Sequence, residues 1–400
     1  MEEKQYFVIS TKDSIYNFKH KVSSVITQCE TPVYCYDLDV LKSTLEVIKK
    51  ESEKYNFKVH YAIKANANPR ILSEIQKYDF GADCVSGGEV ELALKTNFNP
   101  NKIVFAGVGK SDWEIELALK NDIFCFNVES EEELKVIDEI ASSLGKKARI
   151  SFRINPEVDA HTHKNITTGL QENKFGINLS SLDRVLSVLS SLKNVELIGV
   201  HFHIGSQITD MQPFKELSSK AMDIVKHIES KGYSLHTINF GGGLGIDYEN
   251  PDRNLIPDFA SYFKIFNENF ALKEGREIHF ELGRSVVGEC GTLLTKVLYV
   301  KEGTTKKFAI VDAGFTDLIR PALYQAYHKI ENLSSFEKEE KYDVVGPICE
   351  STDCFSQNVL LNKVKRGDVL ALRSAGAYGE VMAMQYNCRK LPQSIFIESK

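Results

Sequence analysis

Residues 59–66 read Val59-His60-Tyr61-Ala62-Ile63-Lys64-Ala65-Asn66, an apolar and aromatic run that ends in a lysine and small residues. The pair Asn68-Pro69 follows and predicts a turn, so residues 59–64 are typical of a short buried strand with Lys64 at its carboxyl end. A lysine there is costly to bury unless it is paired or does chemistry, and a desolvated lysine amine can form a Schiff base with a carbonyl compound. The alternative is a strand-end lysine whose amine reaches water, and this stretch alone favours that alternative.

The unit that begins with this strand recurs along the chain: a short apolar strand, a polar or glycine-rich turn, and a stretch with helical spacing such as Glu131 to Leu144. Parallel strands need such crossovers, and strands buried on both faces are continuously apolar, as these are. Eight strands separated by helices over about 250 residues predict a (β/α)8 TIM barrel. The predicted strands are 59–64, 80–85, 102–107, 123–128, 148–154, 196–203, 236–240 and 277–282.

From about residue 283 the pattern changes to strands with short connections and few helices, which predicts a second, β-rich domain of the β-barrel or sandwich kind. We place the barrel domain at 37–282 and the β-rich domain at 1–36 plus 283–400, because the extended amino-terminal segment can join the β-rich domain. The Lys- and Glu-rich stretch 329–341 is predicted to be a surface loop or helix. The predicted strands of this domain lie at 297–300, 308–312, 342–345 and 369–372.

Composition narrows the class of protein. The chain has 400 residues and a formal net charge of −6 without a basic block, which argues against nucleic acid or an anionic membrane as partner. The first residues lack a signal-peptide pattern, and no apolar run approaches the ~20 residues of a membrane span. Eight scattered cysteines without a Cys-x-x-Cys pair predict reduced thiols and no zinc site. We therefore expect a cytoplasmic protein.

The predicted strands end in residues that can carry chemistry. In a barrel of this type the active site forms at the carboxyl ends of the strands, and a purely structural barrel would not need ionisable groups and glycines there. The groups that collect on this rim are Lys64, Asp83, Arg153, Asn155, His201, His203, the run Gly241-Gly242-Gly243, Glu281 and Arg284.

Several of these groups have two interpretations. The three glycines after the seventh strand suit backbone contacts to a phosphate, but a tight turn would also use them. His201 and His203 are two apart on a strand and face one side, either as a metal pair or with an imidazole stacked on a flat cofactor ring. His161 and His163, after Asp159, are a second candidate metal cluster or a polar loop.

Glu281 has a specific use if the carbonyl compound is pyridoxal phosphate, because a carboxylate on the pyridine nitrogen holds its proton and makes the ring an electron sink. Arg284 could meet a phosphate or carboxylate with two parallel hydrogen bonds, and a surface ion pair is the alternative for both. Arg320 and Tyr324 are four apart, so on a helical turn they would share a face and could bind a carboxylate together, with ordinary loop chemistry as the alternative.

With these residues in hand, the chain resembles the diaminopimelate decarboxylase family, a member of the alanine-racemase-like (fold type III) class of pyridoxal-phosphate enzymes. The resemblance runs from about residue 31 to the end, and the order of the motifs makes it specific. One departure is Leu282, where the family usually has proline; the change frees φ at this position and leaves both charged groups, Glu281 and Arg284, in place. The motifs are Tyr61-Ala-Ile-Lys-Ala-Asn66, Gly81-Ala-Asp-Cys-Val-Ser-Gly-Gly-Glu89, His201-Phe-His-Ile-Gly-Ser-Gln207, the triple glycine, Arg320-Pro-Ala-Leu-Tyr324, Gly346-Pro-Ile-Cys-Glu-Ser351 and Gly376-Ala-Tyr-Gly379.

The resemblance implies pyridoxal 5'-phosphate as cofactor, bound covalently by Lys64 and with His203 stacked on its pyridine ring. Glu281 would pair with the pyridine nitrogen, and Asp83 would lie near Lys64. The residues that the resemblance places around the phosphate are Ser206, Gly242, Gly243, Gly283, Arg284 and Tyr378.

The resemblance also implies a substrate site that two chains share. Cys349 would be the proton donor and Glu350 would bind the distal amino group, both across a dimer interface, so the family's pattern implies an obligate homodimer. The implied substrate-binding residues are Arg284, Arg320, Tyr324, Glu350 and Tyr378.

The implied activity is decarboxylation of meso-2,6-diaminopimelate to L-lysine and carbon dioxide, the last step of lysine biosynthesis. An alternative is a related decarboxylase of ornithine, arginine, lysine or carboxynorspermidine, substrates that lack the distal carboxylate. A homologue that has kept the fold as a binding module is the alternative from another class, but it should have lost Lys64, the glycines or Cys349, which are present.

Overall fold

A computed structural model describes residues 7–11, 18–26, 29–159, 174–271 and 273–399. The candidate metal cluster at His161 and His163 lies outside these residues. The chain forms two compact units, one of residues 45–245 and 258–283 and the other of residues 1–44, 246–257 and 284–400. The domain limits 37–282 and 1–36 plus 283–400 stay a prediction.

The strands of the described residues are β1 (Phe7–Thr11), β2 (Val33–Asp37), β3 (Lys58–Ala62), β4 (Gly81–Cys84), β5 (Ile103–Phe105), β6 (Cys125–Val128), β7 (Ala148–Asn155), β8 (Ile177–Asn178), β9 (Val195–His201), β10 (Thr237–Asn239), β11 (Glu277–Leu282), β12 (Gly291–Glu302), β13 (Lys307–Val311), β14 (Ile330–Asn332), β15 (Glu339–Val345), β16 (Cys354–Asn362), β17 (Val369–Leu372) and β18 (Gln393–Ser399).

The helices are α1 (Phe18–Ile26), α2 (Leu38–Glu53), α3 (Pro69–Gln76), α4 (Gly87–Lys95), α5 (Asp112–Lys120), α6 (Glu131–Ser143), α7 (Leu182–Leu189), α8 (Gln212–Ser230), α9 (Phe259–Asn269), α10 (Arg284–Val287) and α11 (Arg320–Tyr324).

Eight parallel strands close into a barrel in the order β3, β4, β5, β6, β7, β9, β10, β11 and back to β3, with β8 added beside β7. The barrel closes where Glu281 of β11 lies opposite His60 of β3. Helices follow most of the strands, so the predicted (β/α)8 barrel is confirmed. Several strand ends differ from the prediction by one or two residues, and two of them move candidate residues: β3 ends at Ala62 and β9 at His201, so Lys64 lies in a 3-10 turn (Ile63–Ala65) and His203 in a loop.

Local sequence explains why each crossover forms. α6 begins after Ser130, whose hydroxyl accepts a hydrogen bond from the Glu133 amide at 3.2 Å, and acidic residues fill its first turn where the helix dipole favours them. Its buried residues Leu134, Ile137 and Ala141 recur every three to four positions. That spacing makes one apolar stripe, which helix α6 buries within the unit.

An aromatic cluster holds the last two barrel strands against α9. Phe240 of the loop after β10 and Phe280 of β11 pack on Phe266 at ring-centroid distances of 4.6 and 4.9 Å, and Phe263 lies 5.1 Å from Phe280. All four side chains are buried. Burying a side chain of this size stabilises the fold by about 1.5–3 kcal/mol, so this cluster fixes the strand that carries Glu281.

The other unit is built on a mixed sheet, which confirms the predicted β-rich character. Its strand order is β1, β18, β2, β12, β13, β15, β16, and β17 pairs with β12 and β14. The early strand β2 is thus flanked by β12 and β18, from the last third of the chain. The prediction of a loop or helix at 329–341 is wrong in part, because β14 and the start of β15 lie there; the surface character is found at the start of β15, where Glu339 and Lys341 are exposed.

A buried carboxyl of the β-rich unit gives a prediction for the pH dependence of stability. Burial raises the pKa of Glu289 from its ordinary value of 4.5 to about 8, and the Ser374 hydroxyl donates to its Oε2 at 2.7 Å. Between these pH values the unfolded chain loses a proton that the folded chain keeps, so the contribution of Glu289 to stability is largest below pH 4.5 and is lost as the pH rises to about 8.

In the Glu289→Gln variant the side chain is neutral at every pH, so the variant should not show this fall in stability. The fall amounts to at most about 1.4 kcal/mol in the free energy of unfolding per pH unit. Urea unfolding of both proteins between pH 5 and 8 measures it. The stability difference should move in favour of Glu289→Gln as the pH rises. Parallel curves would contradict the prediction.

Candidate active site

Lys64 and Asp83 meet at the carboxyl ends of β3 and β4. The Lys64 Nζ donates to Asp83 Oδ2 at 3.1 Å, and the Asp83 carboxyl is 1% exposed while the lysine side chain is 38% exposed. Burial and the charge of Glu281 raise the pKa of Asp83, and the charge of Lys64 opposes them. The lysine amine is therefore held at one point of the rim but is still open to a reactant.

Glu281 of β11 is buried in the barrel and receives three hydrogen bonds from side chains. Asn239 and Asn127 donate from Nδ2 to its Oε1 at 2.7 and 3.1 Å, and His201 lies with Nε2 2.8 Å from its Oε2. Burial alone would raise the pKa of Glu281, but the hydrogen bond from His201 and the charge of Lys64 outweigh burial and hold the pKa below its ordinary value. Glu281 is thus an anionic carboxylate.

His203 lies past the end of β9 in a loop beside the glycine run. Burial, followed by the charges of Arg153 and Lys64, holds the pKa of His203 well below its usual value, so the imidazole is neutral. The Gly242 amide donates to His203 Nδ1 at 3.5 Å. A neutral, flat ring at this position suits stacking against another ring. Ligation of a metal together with His201 is a poorer fit, because His201 faces Glu281.

The glycines after β10 are required by close backbone approaches. A Cβ on Gly242 would lie 2.0 Å from the Glu281 carbonyl oxygen, and Gly243 has φ +116° with the Gly205 carbonyl 3.0 Å from its Cβ position. The Ile208 amide donates to the Gly243 carbonyl at 2.9 Å, which ties this loop to the one that carries Ser206. The two loops form a backbone-lined cradle that side chains would fill.

Arg153 is fixed at the end of β7 by Glu129. Arg153 Nη1 donates to Glu129 Oε1 at 2.8 Å, and the amides of Gly107 and Gly176 donate to the same carboxylate at 2.8 and 3.1 Å. Glu129 therefore joins the loops after three barrel strands. Within the described parts of the chain, no group of three or more His, Cys, Asp or Glu side chains could hold a metal ion.

A separate cluster of arginines and tyrosines forms in the β-rich unit. Arg284, at the start of α10, donates from Nη1 to Tyr248 Oη at 2.5 Å, and its guanidinium lies 4.9 Å from the centre of the Tyr378 ring. Arg320, at the start of α11, lies 5.0 Å from the centre of the Tyr248 ring. Both arginines are buried, and Tyr324 lies at the other end of α11 as the predicted helical turn requires.

His328 supports Arg320. Its Nδ1 lies 2.9 Å from the Arg373 carbonyl and its Nε2 2.8 Å from Arg320 Nη1, so Nδ1 donates and Nε2 accepts. Burial and the charge of Arg320 lower the pKa of His328 to about 3, so Nε2 stays unprotonated and can accept the hydrogen bond from Arg320. No carboxylate of the described residues forms an ion pair with Arg320, so a buried cation is left available for an anion.

Cys349 and Glu350 lie in the exposed loop between β15 and β16. The Cys349 amide donates to Asn387 Oδ1 at 3.3 Å, and Tyr386 Oη donates to Glu350 Oε1 at 2.8 Å. The structure of this unit therefore leaves both side chains at its surface. Gly283, the last residue of the barrel unit, is half-buried directly after β11.

A cavity of about 500 Å³ opens at the other end of the barrel, where the strands begin. Polar side chains that line it already pair with one another: Lys102 forms an ion pair with Asp79 at 2.6 Å, and His60 Nε2 shares a hydrogen bond with His279 Nδ1 at 2.8 Å. The carboxyl-terminal rim, with its open lysine and its glycine cradle, is the better candidate for chemistry.

Comparison with known proteins decides the family. Residues 38–288 match the family model described as pyridoxal-dependent decarboxylase, pyridoxal binding domain. The diaminopimelate decarboxylase of Bacteroides thetaiotaomicron is 59% identical over 365 residues, which are 91% of this chain and 95% of that protein. The chain belongs to the diaminopimelate decarboxylase family. The diaminopimelate decarboxylase of Aquifex aeolicus is 42% identical, over 92% of this chain and 87% of that protein.

Solved structures agree with this assignment. The crystal structure of diaminopimelate decarboxylase from Helicobacter pylori complexed with L-lysine superposes with a TM-score of 0.87 at 43% identity, and the match covers 93% of each chain. A lysine/ornithine decarboxylase from Vibrio vulnificus, at 21% identity and a TM-score of 0.82 over 94% of this chain and 97% of that one, shares the fold.

The family is pyridoxal-dependent, and the barrel residues fit that cofactor. The aldehyde of the cofactor needs an amine to bind it, and its pyridine nitrogen needs a carboxylate that holds the proton there. Its phosphate needs a cradle of backbone amides. Lys64, Glu281 and the glycine loop provide these groups. Asp83 Oδ1 is also buried without a hydrogen-bond partner among the described residues, as expected of a polar atom that faces a bound group.

Sequence reasoning missed several side chains that hold the candidate residues of each unit in place. Asn127 and Asn239 lie inside predicted strands, where a buried amide among apolar residues was a usable signal. Tyr248 follows the glycine run closely enough to be suspected. His328 gave no signal, because its contact with Arg320 exists only after the strands have paired.

Proposed function

We propose that the chain catalyses the pyridoxal-phosphate-dependent decarboxylation of meso-2,6-diaminopimelate to L-lysine and carbon dioxide, the last step of lysine biosynthesis. The observation that carries the proposal is that the Lys64 amine and the anionic Glu281 carboxylate lie on the same rim of the barrel. In the overall reaction a carbon–carbon bond breaks, carbon dioxide leaves and a proton takes its place. The names of the relatives support this substrate.

Each barrel residue has a role in the proposal. The bound cofactor supplies an electron sink for the pair released when the carboxylate leaves. Lys64 Nζ would hold the cofactor, and the neutral imidazole of His203 would support its ring. Glu281 holds the proton at the pyridine nitrogen. Ser206, Gly242, Gly243 and Gly283 offer hydrogen bonds to the phosphate, as does Arg284, whose charge would balance it.

Arg320 favours diaminopimelate as the substrate over amino acids that have no distal carboxylate. A buried guanidinium without a carboxylate partner among the described residues can bind the distal carboxylate that ornithine, lysine and arginine lack. Arg284, Tyr324 and Tyr378 offer further donors for this carboxylate. We propose these four residues and the partner subunit's Glu350 as the substrate site.

Product analysis tests the function directly. The holoenzyme, incubated with each diaminopimelate stereoisomer and with ornithine, lysine and arginine, is expected to release carbon dioxide and L-lysine from the meso isomer. The Lys64→Ala variant is the blank. A higher kcat/KM for carbon dioxide release from ornithine, lysine or arginine than from diaminopimelate would favour the alternative substrate class. If no substrate released carbon dioxide, the proposal would be refuted.

We propose further that the enzyme is a homodimer with shared sites, which acts in the cytoplasm. Cys349 and Glu350 are exposed in their own unit, as expected of residues that serve a second chain. In this scheme Cys349 of the partner subunit donates the proton. All eight cysteines are unpaired, which suits a reducing compartment. No helix of the described residues is long and apolar enough to cross a membrane.

Subunit exchange between Lys64→Ala and Cys349→Ala tests the shared site. The mixed dimer carries one site with both lesions and one with neither, so it should recover half of the wild-type activity. Equal amounts exchanged at random give about half mixed dimers, hence about a quarter of wild-type activity in the bulk. If native mass spectrometry shows exchange and no activity returns, each site is built within one chain.

A further inference from the structure

Glu281 is held entirely by donors from three other barrel strands. We propose that Asn127, Asn239 and His201 are positioning residues that keep Glu281 ionised and leave a single acceptor position, on Oε2, for the cofactor's pyridine nitrogen. This inference rests on the proposed function in one respect only, the use of Glu281 at that nitrogen.

The orientation of the Asn239 amide follows from the glycine loop. The Gly241 amide donates to Asn239 Oδ1 at 2.8 Å, and a backbone N–H can only donate. The Asn239 Nδ2 must therefore face Glu281 Oε1, 2.7 Å away, as a donor. Asn127 is oriented in the same sense, because an ionised carboxylate can only accept and Asn127 must therefore turn its Nδ2 to Oε1, 3.1 Å away.

The ring of His201 has one proton, and it lies on Nε2. His201 Nδ1 is buried without a hydrogen-bond partner among the described residues, whereas Nε2 lies 2.8 Å from Glu281 Oε2. A proton on Nδ1 would be buried and unsatisfied, which costs more than a bare lone pair on the same atom. His201 is thus a neutral donor to Oε2.

The count of acceptor positions then singles out one oxygen. A carboxylate has about four lone-pair positions, two on each oxygen. Asn127 and Asn239 take both positions on Oε1, and His201 takes one on Oε2. The remaining position on Oε2 is the one that can accept the N–H of a pyridinium. The other titratable groups whose charges act on Glu281 are Lys64, His60 and Asp83.

Asn239 adds a link between the two ends of the cofactor site. Its amide bonds Glu281 on one side and Gly241, the first residue of the glycine loop, on the other. A change at Asn239 should therefore alter both the acid and the loop, whereas a change at His201 should alter the acid alone. This difference gives a second test.

The first test compares His201→Leu, which has no donor, with His201→Gln, whose Nε2 can replace it. We expect His201→Leu to lower kcat at least about tenfold and to shift the visible absorption maximum of the bound cofactor in the same direction as Glu281→Gln. His201→Gln should recover the wild-type maximum and most of kcat. His227→Gln, an exposed histidine of α8, is the matched control. Equal spectra for His201→Leu and the wild type would overturn the proposal.

The second test does not use activity. In protein labelled with 15N-histidine, with and without cofactor, the His201 resonances are identified by their loss in His201→Gln. We expect an Nε2–H, Nδ1-bare ring at neutral pH in both states. A proton on Nδ1 would overturn the assignment even if no His201→Leu protein folds, and a wild type inactive on every substrate would remove the proposed function but leave this result standing.

The third test uses Asn239→Asp and Asn239→Leu. The aspartate keeps an acceptor for Gly241 but faces Glu281 with a second carboxylate, so one of the two must take a proton. We expect the spectral shift in both variants and a weaker affinity for pyridoxal phosphate, by about tenfold, in Asn239→Leu alone. Equal affinities in the two variants, or no spectral shift in Asn239→Asp, would contradict the proposed link.

Discussion

Lys64→Ala is expected to lower kcat by on the order of a thousandfold or more, because the amine that we propose binds the cofactor covalently is lost. The barrel should stay folded, since the lysine side chain is 38% exposed and packs no core. Borohydride reduction followed by peptide mass analysis checks the cause. The wild type should retain the reduced cofactor on the peptide that contains Lys64, and the variant should retain none.

Lys64→Arg separates the amine from its charge. The arginine keeps a cation near Asp83, now bonded at 3.1 Å by the lysine, but its guanidinium stays protonated and is a poor nucleophile. It should be as inactive as the alanine variant while its thermal unfolding stays closer to that of the wild type. A folded Lys64→Ala protein with turnover within tenfold of the wild type would refute the role of Lys64.

Glu281→Gln should bind pyridoxal phosphate but lose at least about tenfold in kcat, roughly 1.4 kcal/mol in the barrier, because a neutral amide cannot hold the pyridinium proton. The amide also places an NH2 group among donors, since Asn127, Asn239 and His201 all point at this position. Steady-state kinetics and the visible spectrum of the bound cofactor measure the two effects.

Glu277→Gln is the matched control for this change. Glu277 begins the same strand, β11, and its side chain is 45% exposed, bonded to His279 at 3.3 Å rather than to the rim. Its kcat should equal that of the wild type. A loss in Glu281→Gln smaller than tenfold would show that the carboxylate does not hold the proton.

Local sequence predicted the barrel well because the barrel is made of local units. Each strand is a short apolar run, and helices such as α4 and α6 begin at a capping serine, Ser86 or Ser130, and bury one side. The strand ends were less exact. β3 stops two residues early, because residues 63–65 form a 3-10 turn in which the Asn66 amide bonds the Ile63 carbonyl at 3.0 Å.

The sequence by itself determined the eight-strand barrel, the β-rich character of the other unit, the family and the candidate groups Lys64 and Glu281. All of these depend on patterns within a few residues. Only the tertiary structure decided which side chains support Glu281, because Asn127, His201 and Asn239 lie 154, 80 and 42 residues away from it. The physical reason is that barrel closure, not proximity along the chain, brings alternate residues of distant strands together, and only there do their hydrogen bonds fix the charge of the carboxylate.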